Sequence, residues 1–291
     1  MVRRKGYGRA SGAGTIINAI ATYRGAAFGI DMWTHAEVEV GEDMHGIHCE
    51  VSGFQNADTR LIERCVGEVL RKFGIKLSAF VRTSSEIPMG SGLKSSSAAA
   101  NAVIVATLDA IGCDIDVLDA IRLGAIVAKE VGVSITGAFD DACASMLGGF
   151  VVTDNRQMQL LRRDEHEFTA VVLIPHERAF TAETNVLRAR TIANWVEKAF
   201  EDALHGKYEE AMTLNGFLYT AALGFSAEPM LVALECGVKG VSLSGTGPSY
   251  VALVESEEKA REVEHSWNAM GWDAEVRKCK INNRCSYSSG C

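Results

Sequence analysis

The stretch PMGSGLKSSSAAANAV, residues 88 to 103, constrains the fold of this chain more than any other segment. Gly90 and Gly92 let backbone N–H groups approach a ligand closely, and serines stand where an alanine-rich helix begins. Unpaired amides, the positive end of a helix dipole and hydroxyl groups therefore meet at one place. The segment predicts either a phosphate-binding loop or a Gly/Ser turn that only caps a helix. A Walker-type loop is excluded, because GSGLKSSS does not fit GxxxxGK followed by Ser or Thr.

Composition limits the classes of protein to consider. The chain has 291 residues, of which 47% are hydrophobic, and its length favours two domains. A formal net charge of -8 argues against a sequence-independent nucleic-acid binder. No apolar run approaches the roughly 20 residues of a membrane span, and the basic N-terminal segment lacks the apolar core of a signal peptide. We therefore expect a cytoplasmic protein with no nucleic-acid or membrane partner.

The eight cysteines are scattered, which predicts free buried thiols instead of a disulfide framework. Cys279, Cys285 and Cys291 are evenly spaced in the last segment, KCKINNRCSYSSGC. Such spacing could indicate a metal site, but the gaps are longer than those of zinc knuckles. We expect this segment to be a polar, loosely ordered tail.

Hydrophobic spacing predicts an α+β protein. In the first half it favours strands at 36–40, 75–81 and 149–153, helices at 61–73, at 95–111 and from Asp116, and a loop over 132–149. The polar segment 154–167 is a plausible boundary, so we divide the chain into domains 1–155 and 156–291. The second half predicts strands at 168–174, 240–243, 250–254 and 272–277, with helices at 184–236 and 257–270. That order is typical of a ferredoxin-like arrangement with inserted helices.

Two further glycine-rich segments accompany the first, RASGAGTIINAI at 9–20 and SLSGTGPSYVA at 242–252. In this order the three segments resemble the motifs of the GHMP kinase superfamily. The second motif of that superfamily matches Pro88, Gly90, Gly92, Leu93, Ser95 and Ser96, and the third matches Gly245, Thr246 and Gly247. Within the superfamily, the stretches 11–38, 136–149 and 237–253 resemble the archaeal-type shikimate kinases.

The resemblance implies ATP-dependent phosphorylation of the 3-hydroxyl of shikimate, in the route to chorismate and the aromatic amino acids. It also implies a two-domain α+β fold, with a ribosomal-protein-S5-like N-terminal domain, a ferredoxin-like C-terminal domain and an active site between them. Homoserine kinase or another small-alcohol kinase of the superfamily is one alternative, and a nucleotide-binding relative without turnover is another. The sequence does not fix the oligomeric state.

The implied nucleotide and metal sites follow the second and third motifs. Ser96 and Glu130 are the implied ligands of Mg²⁺, although Glu130 could equally be an exposed carboxylate at a helix end. A β-branched residue at Gly92 is expected to weaken ATP binding by crowding the phosphates while leaving the fold largely intact. The implied ATP-binding residues are Pro88, Met89, Gly90, Ser91, Gly92, Leu93, Lys94, Ser95, Ser96, Ser97, Gly245, Thr246 and Gly247.

The acidic pair Asp140 and Asp141 is the implied catalytic site. In mevalonate kinase the catalytic aspartate precedes a Gly-Gly pair by seven residues, and here Asp141 precedes Gly148 by seven. Asp141 is therefore the expected base, with Asp140 capping, hydrogen bonding locally or binding metal. Both aspartates could instead simply begin a helix, for which aspartate is well suited.

One departure from the superfamily concerns a lysine. Mevalonate kinase has a lysine in its first motif, where this chain has Ala13. Lys94, at a place where the superfamily usually has a small residue, could supply the missing positive charge, or it could face solvent as most lysines do.

Shikimate carries a carboxylate and three hydroxyls, which suit arginine and small polar side chains. Asn18, Asp31, Arg178 and Thr246 are the candidate substrate ligands, and Arg188 and Arg190 are further arginines in the same half as Arg178.

Overall fold

The structure is a computed structural model that describes residues 3–42, 45–176 and 185–287. Its strands are β1 (Arg4–Ile17), β2 (Arg24–Gly41), β3 (Ile47–Val51), β4 (Ser78–Ser85), β5 (Phe150–Asp154), β6 (Gln159–Asp164), β7 (Thr169–Pro175), β8 (Gly240–Leu243), β9 (Tyr250–Val254) and β10 (Ala274–Lys280). Its helices are α1 (Arg60–Lys72), α2 (Ser95–Ile111), α3 (Val117–Glu130), α4 (Phe139–Leu147), α5 (Val186–Arg190), α6 (Ala193–Leu204), α7 (Tyr208–Leu223), α8 (Glu228–Glu235) and α9 (Glu257–Ala269).

The N-terminal half forms a six-stranded sheet in which β3, β4, β2, β5 and β6 are successive neighbours and β1 pairs with β2. The antiparallel hairpin of β1 and β2 has strands of 14 and 18 residues. The sequence predicted only residues 36–40 of this hairpin as strand. Glycines and alanines fill much of β1, and they hide the alternation of apolar and polar residues on which strand prediction depends.

Helix α2, which the sequence predicted at its observed bounds, lies directly across β1. A Cβ atom at Gly6 would lie 2.2 Å from the carbonyl oxygen of Ala106, and one at Gly8 would lie 2.2 Å from that of Ala102. The two backbones therefore touch, which explains the small residues on both elements. The close contact fixes the start of α2, and the glycine-rich loop before it, relative to the sheet.

The C-terminal half forms a four-stranded antiparallel sheet in the order β10, β7, β9, β8. Helices α5 to α8 connect β7 to β8, and α9 connects β9 to β10. The predicted ferredoxin-like arrangement with inserted helices is therefore confirmed.

One prediction in the middle of the chain is wrong, and one strand there was not predicted. Residues 139–147, predicted as loop, form α4, a helix of nine residues that starts just after Gly137 and ends before Gly148. The flanking glycines and the short length concealed it. Residues 159–164 form β6, which pairs antiparallel with β5 and extends the first sheet beyond the predicted boundary at residue 155. The exact division into two domains stays a prediction.

The prediction of a loose C-terminal tail is also wrong for residues 281–287. The backbone N–H of Asn282 donates to the carbonyl oxygen of Gly29 at 3.0 Å, and that of Ser286 donates to the carbonyl oxygen of Met146 at 2.7 Å. Tyr287 is buried. The segment after β10 therefore packs on the N-terminal half of the molecule.

The predicted free thiols are confirmed for Cys49, Cys65, Cys113, Cys143, Cys236 and Cys279. Cys285 is disulfide-bonded, contrary to the prediction, and Cys291 lies outside the described residues.

One of the buried apolar clusters spans both halves of the molecule. Phe28 of β2 stacks on Phe150 of β5 with ring centroids 5.2 Å apart. Both rings belong to the same buried cluster as Val171 of β7 and Phe200 of α6. Within the described ranges, no helix combines the length and apolar character needed to cross a membrane. The cytoplasmic location stays a prediction.

Candidate active site

The predicted phosphate-binding loop, residues 88–94, ends where α2 begins. Gly90, Gly92 and Lys94 have φ values of 70°, 83° and 67°, so the loop passes through left-handed conformations that suit glycine. The buried Ser91 stabilises the turn by donating its hydroxyl to the carbonyl oxygen of Pro88 at 2.7 Å. The N-cap residue, Lys94, makes no side-chain cap hydrogen bond, so the backbone amides of the first turn of α2 can bind an anion.

The other residues predicted in this loop have different exposures. Met89 is half-buried, and Leu93 is fully buried in the core. At the start of α2, Ser96 is exposed, whereas Ser95 and Ser97 are half-buried. Of these three serines, Ser96 therefore has the hydroxyl that is most accessible to a ligand.

The third glycine-rich segment, residues 244–249, interlocks with this loop. The hydroxyl of Ser244 donates to the carbonyl oxygen of Gly92 at 2.9 Å, and the N–H of Ser249 donates to that of Ser91 at 3.2 Å. A Cβ at Gly92 would lie only 2.2 Å from the carbonyl oxygen of Ser244. The expectation that a β-branched residue at Gly92 leaves the fold intact is therefore wrong, because the side chain would separate the two loops.

The first glycine-rich segment contacts both of these loops. The N–H of Ala13 donates to the carbonyl oxygen of Leu93 at 3.2 Å, and the N–H of Gly245 donates to the hydroxyl of Thr15 at 2.8 Å. Asn18 donates its side-chain amide to the carbonyl oxygen of Gly245 at 2.7 Å. The structure thus brings all three segments together at the junction of the two halves.

Lys94 faces into this junction. Its side chain is 8% exposed, and its Nζ lies 3.0 Å from Oδ1 of Asp141, whose side chain is 16% exposed. The contact is an ion pair without hydrogen-bond geometry, so Oδ1 remains without a hydrogen-bond partner. Nζ also lies close to Gly245, where a Cβ would be 2.9 Å away. Of the two roles considered for Lys94, the solvent-facing one is excluded.

Lys94 lies close to the place where the first motif lacks a lysine. Ala13 is hydrogen-bonded to Leu93, the residue before Lys94, so the ammonium comes from a neighbouring chain segment. The second motif thereby places a positive charge beside Asp141 that the first motif lacks.

The two aspartates at the start of α4 differ in their surroundings. Asp140 is 4% exposed, and its Oδ1 accepts a hydrogen bond from Nδ2 of Asn155 at 2.7 Å. A Cβ at Gly25 would lie 2.2 Å from its Oδ2, so the carboxyl group fills the space that this glycine leaves. Burial, and after it the negative charge of Asp141, raise the pKa of Asp140 to about 7, against smaller opposing effects of Lys94 and Asn155.

Asn155 is a site residue that the sequence analysis missed. Its Oδ1 accepts from the N–H of Asp140 at 3.2 Å and from the hydroxyl of Thr153 at 2.7 Å. Asn155 therefore holds both the backbone and the carboxyl group of Asp140. The pattern TDN at the end of a strand carries no chemical signature, so only the fold reveals this contact.

Glu130, the predicted metal ligand at the end of α3, is exposed and forms an ion pair with Arg64 of α1 at 2.9 Å. Among the described residues, no cluster of three or more His, Cys, Asp or Glu side chains could hold a metal ion. Mg²⁺ needs no such cluster, because it commonly binds one or two carboxylates together with substrate phosphates and water. The exposed hydroxyl of Ser96 is a hard oxygen donor that fits it.

The predicted substrate ligands are dispersed. Asn18 is buried beside the third loop, where its Oδ1 also accepts from the N–H of Ile20 at 3.0 Å. Thr246 lies in that loop and is 9% exposed. Asp31 is exposed on β2 and accepts from Nε1 of Trp33 at 2.5 Å. Arg178 lies outside the described residues.

Two domain families of one superfamily match this chain. The N-terminal domain of GHMP kinases matches residues 60–149, and the C-terminal domain of GHMP kinases matches residues 198–271. Among solved structures, mevalonate kinase of Methanococcus jannaschii superimposes with a TM-score of 0.77 at 19% identity, covering 95% of this chain and 98% of that one. A homoserine kinase of Cytophaga hutchinsonii superimposes with a TM-score of 0.74 at 20% identity, covering 96% of both chains. At these identities the likeness establishes the fold alone.

Sequence relatives are much more similar. The shikimate kinase of Methanosarcina acetivorans is 56% identical over 98% of this chain and 96% of its own length. That of Methanosarcina mazei is 57% identical over 96% of this chain and 95% of its own. The shikimate kinase of Pyrococcus furiosus is 40% identical over 92% of this chain and 97% of its own length.

The fold, the interlocked glycine-rich loops and the two domain matches define a GHMP kinase. Because relatives more than half identical to it extend over nearly its whole length, the chain belongs to the archaeal shikimate kinase family of that superfamily.

Proposed function

We propose that this protein transfers the γ-phosphoryl group of ATP to the 3-hydroxyl of shikimate. The reaction and the substrate follow from the nearly full-length relatives named as shikimate kinases. The observation that carries the mechanism is the Lys94–Asp141 pair, buried where the glycine-rich loops meet. A charged pair in that place would be costly to bury unless it served a ligand or a reaction.

The phosphates of ATP bind the loop 88–94 and the first turn of α2. The backbone amides there are uncapped, and the positive end of the helix dipole favours negative charge. The third loop supports this site by hydrogen bonding to Ser91 and Gly92. This arrangement explains why glycines are needed in both loops.

Asp141 accepts the proton of the attacking hydroxyl. Its side chain is 16% exposed at the junction, so the carboxylate can accept a hydrogen bond from the substrate hydroxyl. Lys94 holds the carboxylate in place by charge, and its ammonium stabilises the negative charge that spreads over the transferring phosphoryl group. Asp140 is enclosed by Asn155 and Gly25, so it supports the start of α4 and does not act as the base.

Mg²⁺, when bound, neutralises the charge of the nucleotide phosphates. The hydroxyl of Ser96 and the phosphate oxygens of the nucleotide would hold it. Glu130 joins them only if its carboxylate leaves Arg64. Asn18 and Thr246 lie at the same junction and would face the substrate hydroxyls, and Arg178 is the proposed partner of the substrate carboxylate.

The test is an ATP-consumption assay with shikimate, homoserine and mevalonate as separate acceptors, followed by phosphorus NMR of the product. We expect turnover with shikimate alone, and coupling of the new phosphorus signal to the proton on C3. Turnover with homoserine but not with shikimate would refute the substrate assignment. ATP binding without turnover on any of the three acceptors would favour a non-catalytic relative.

A further inference from the structure

The C-terminal end of α4, the helix that begins with the two aspartates, is capped by distant parts of the chain. The last carbonyl groups of a helix have no partner within the helix and need donors from elsewhere. Here the carbonyl of Ser145 accepts from the hydroxyl of Ser11 at 3.3 Å, and that of Met146 accepts from the N–H of Ser286 at 2.7 Å. The carbonyl of Leu147 accepts from Arg163 at 3.2 Å.

Arg163 connects this helix end to the chain after β10. Its Nε donates to the carbonyl oxygen of Gly148 at 3.1 Å, and its Nη2 also donates to that of Asn283 at 2.7 Å. One guanidinium group thus binds two carbonyls at the end of α4 and one carbonyl of the C-terminal segment. A planar, multi-donor group is needed for such a contact, which a lysine could satisfy only in part.

The C-terminal segment 281–287 approaches the helix end too closely for side chains to intervene. The carbonyl oxygen of Asn282 accepts from the N–H of Gly149 at 2.7 Å. A Cβ at Gly148 would lie 2.7 Å from that oxygen, and one at Gly29 would lie 2.8 Å from it. The segment leaves the C-terminal sheet at β10, so the cap joins α4 to the other half of the molecule.

We propose that Arg163 and residues 281–287, together named the α4 cap, position Asp141 for proton transfer. This role rests on the proposed function of Asp141. Because α4 has only nine residues, its two ends largely determine where its first turn lies. Asn155 holds the first turn through Asp140, and the α4 cap holds the last turn, so Asp141 keeps its place beside Lys94 only while both are intact.

Arg163→Met tests the proposal, with Arg162→Met as the matched control. The neighbouring Arg162 lies on the same strand and donates to the carbonyl oxygen of Leu204 at 3.0 Å, so it caps the end of α6 in the same way. A misplacement of about 1 Å can cost about a hundredfold in rate, so we expect kcat to fall about tenfold to a hundredfold in Arg163→Met. The KM values for ATP and shikimate should stay close to wild type, and Arg162→Met should keep its kcat.

Hydrogen exchange gives a second measurement that does not depend on the substrate. Amides in the last turn of α4 should exchange faster in Arg163→Met, and those in the last turn of α6 should do so in Arg162→Met. Loss of α4 protection with wild-type kcat would overturn the positioning role. Equal losses of kcat in both variants would overturn it as well, because the effect would then be general loosening.

If Arg163→Met does not fold, Ser286→Pro replaces it, since proline removes the N–H donor to Met146, and Ser286→Ala, which keeps that N–H, is its control. A wild-type kcat in that variant would contradict the proposal. If the wild-type protein does not phosphorylate shikimate, the proposed function fails separately, and unchanged α4 exchange in the variants would refute the cap on its own.

Discussion

Asp140→Asn is expected to make the protein more stable at alkaline pH while leaving most of its activity. The amide has the shape of a protonated carboxylic acid, and it can accept from Asn155 and donate as the acid would. Because Asp140 is buried, its folded-state pKa is raised to about 7 from an ordinary value of 3.8. The folded protein therefore keeps a proton that the unfolded chain releases.

The sign and size of the effect follow from this difference in proton binding. Below about pH 4 both states hold the proton, and above about pH 7 neither does. Between these limits the wild-type protein loses stability as pH rises, since the folded state binds more protons. The gap from 3.8 to about 7, at about 1.4 kcal/mol per pH unit, corresponds to about 4 kcal/mol. The asparagine side chain does not titrate, so the variant does not lose this stability as the pH rises.

Urea unfolding of both proteins at about pH 5 and about pH 8 measures the effect. The stability difference in favour of Asp140→Asn should be larger at the higher pH by a few kcal/mol. Val263→Ala, a buried apolar change in α9, serves as the control, because its cost should be the same at both pH values. A difference between Asp140→Asn and wild type that does not change with pH would refute the account of Asp140.

Three other predictions concern the loops and the metal. Gly92→Ala should lower the melting temperature more than Gly224→Ala does. Both positions have positive φ, but only at Gly92 would a Cβ lie against a carbonyl oxygen. Equal decreases in the melting temperature would contradict the interlocked loops. Lys94→Met should lower kcat by about 10²- to 10³-fold, as expected when one charge-stabilising donor is lost, and a near wild-type kcat in steady-state assays would exclude its role. Ser96→Ala should raise the Mg²⁺ concentration needed for half-maximal rate, as should Glu130→Gln if Glu130 leaves Arg64. Magnesium titrations identical to wild type in both variants would remove both as ligands.

The second half of the fold was predictable from the sequence because its elements carry regular signals. β7 and β9 are short apolar runs, and α9 begins with a serine N-cap, Ser256, which accepts from the N–H of Lys259 at 3.2 Å. The first half was harder, because β1 packs its backbone against α2 and so replaces the usual apolar pattern by glycine and alanine.

The candidate site was predictable only where a motif names its residues. The glycine-rich loops and Asp141 were predicted from the resemblance to GHMP kinase motifs, whereas the inward direction of Lys94 depends on its left-handed backbone, with φ of 67°. The roles of Asn155 and Arg163 depend on side-chain contacts between segments distant in sequence, to Asp140 and to the end of α4. No local pattern encodes such contacts.

The most direct test of the central claim, that Asp141 is the base, is kcat for shikimate phosphorylation by Asp141→Asn. Asparagine keeps the size of the side chain but cannot take up the proton. General-base catalysis contributes about 10²- to 10⁴-fold, and a loose transition state needs the proton removed late, so we expect a loss near 10²-fold with KM values changed much less. Asp140→Asn, measured beside it with melting temperatures for both, should keep most of the rate. A near wild-type kcat in Asp141→Asn, above all together with an inactive Asp140→Asn, would contradict the assignment.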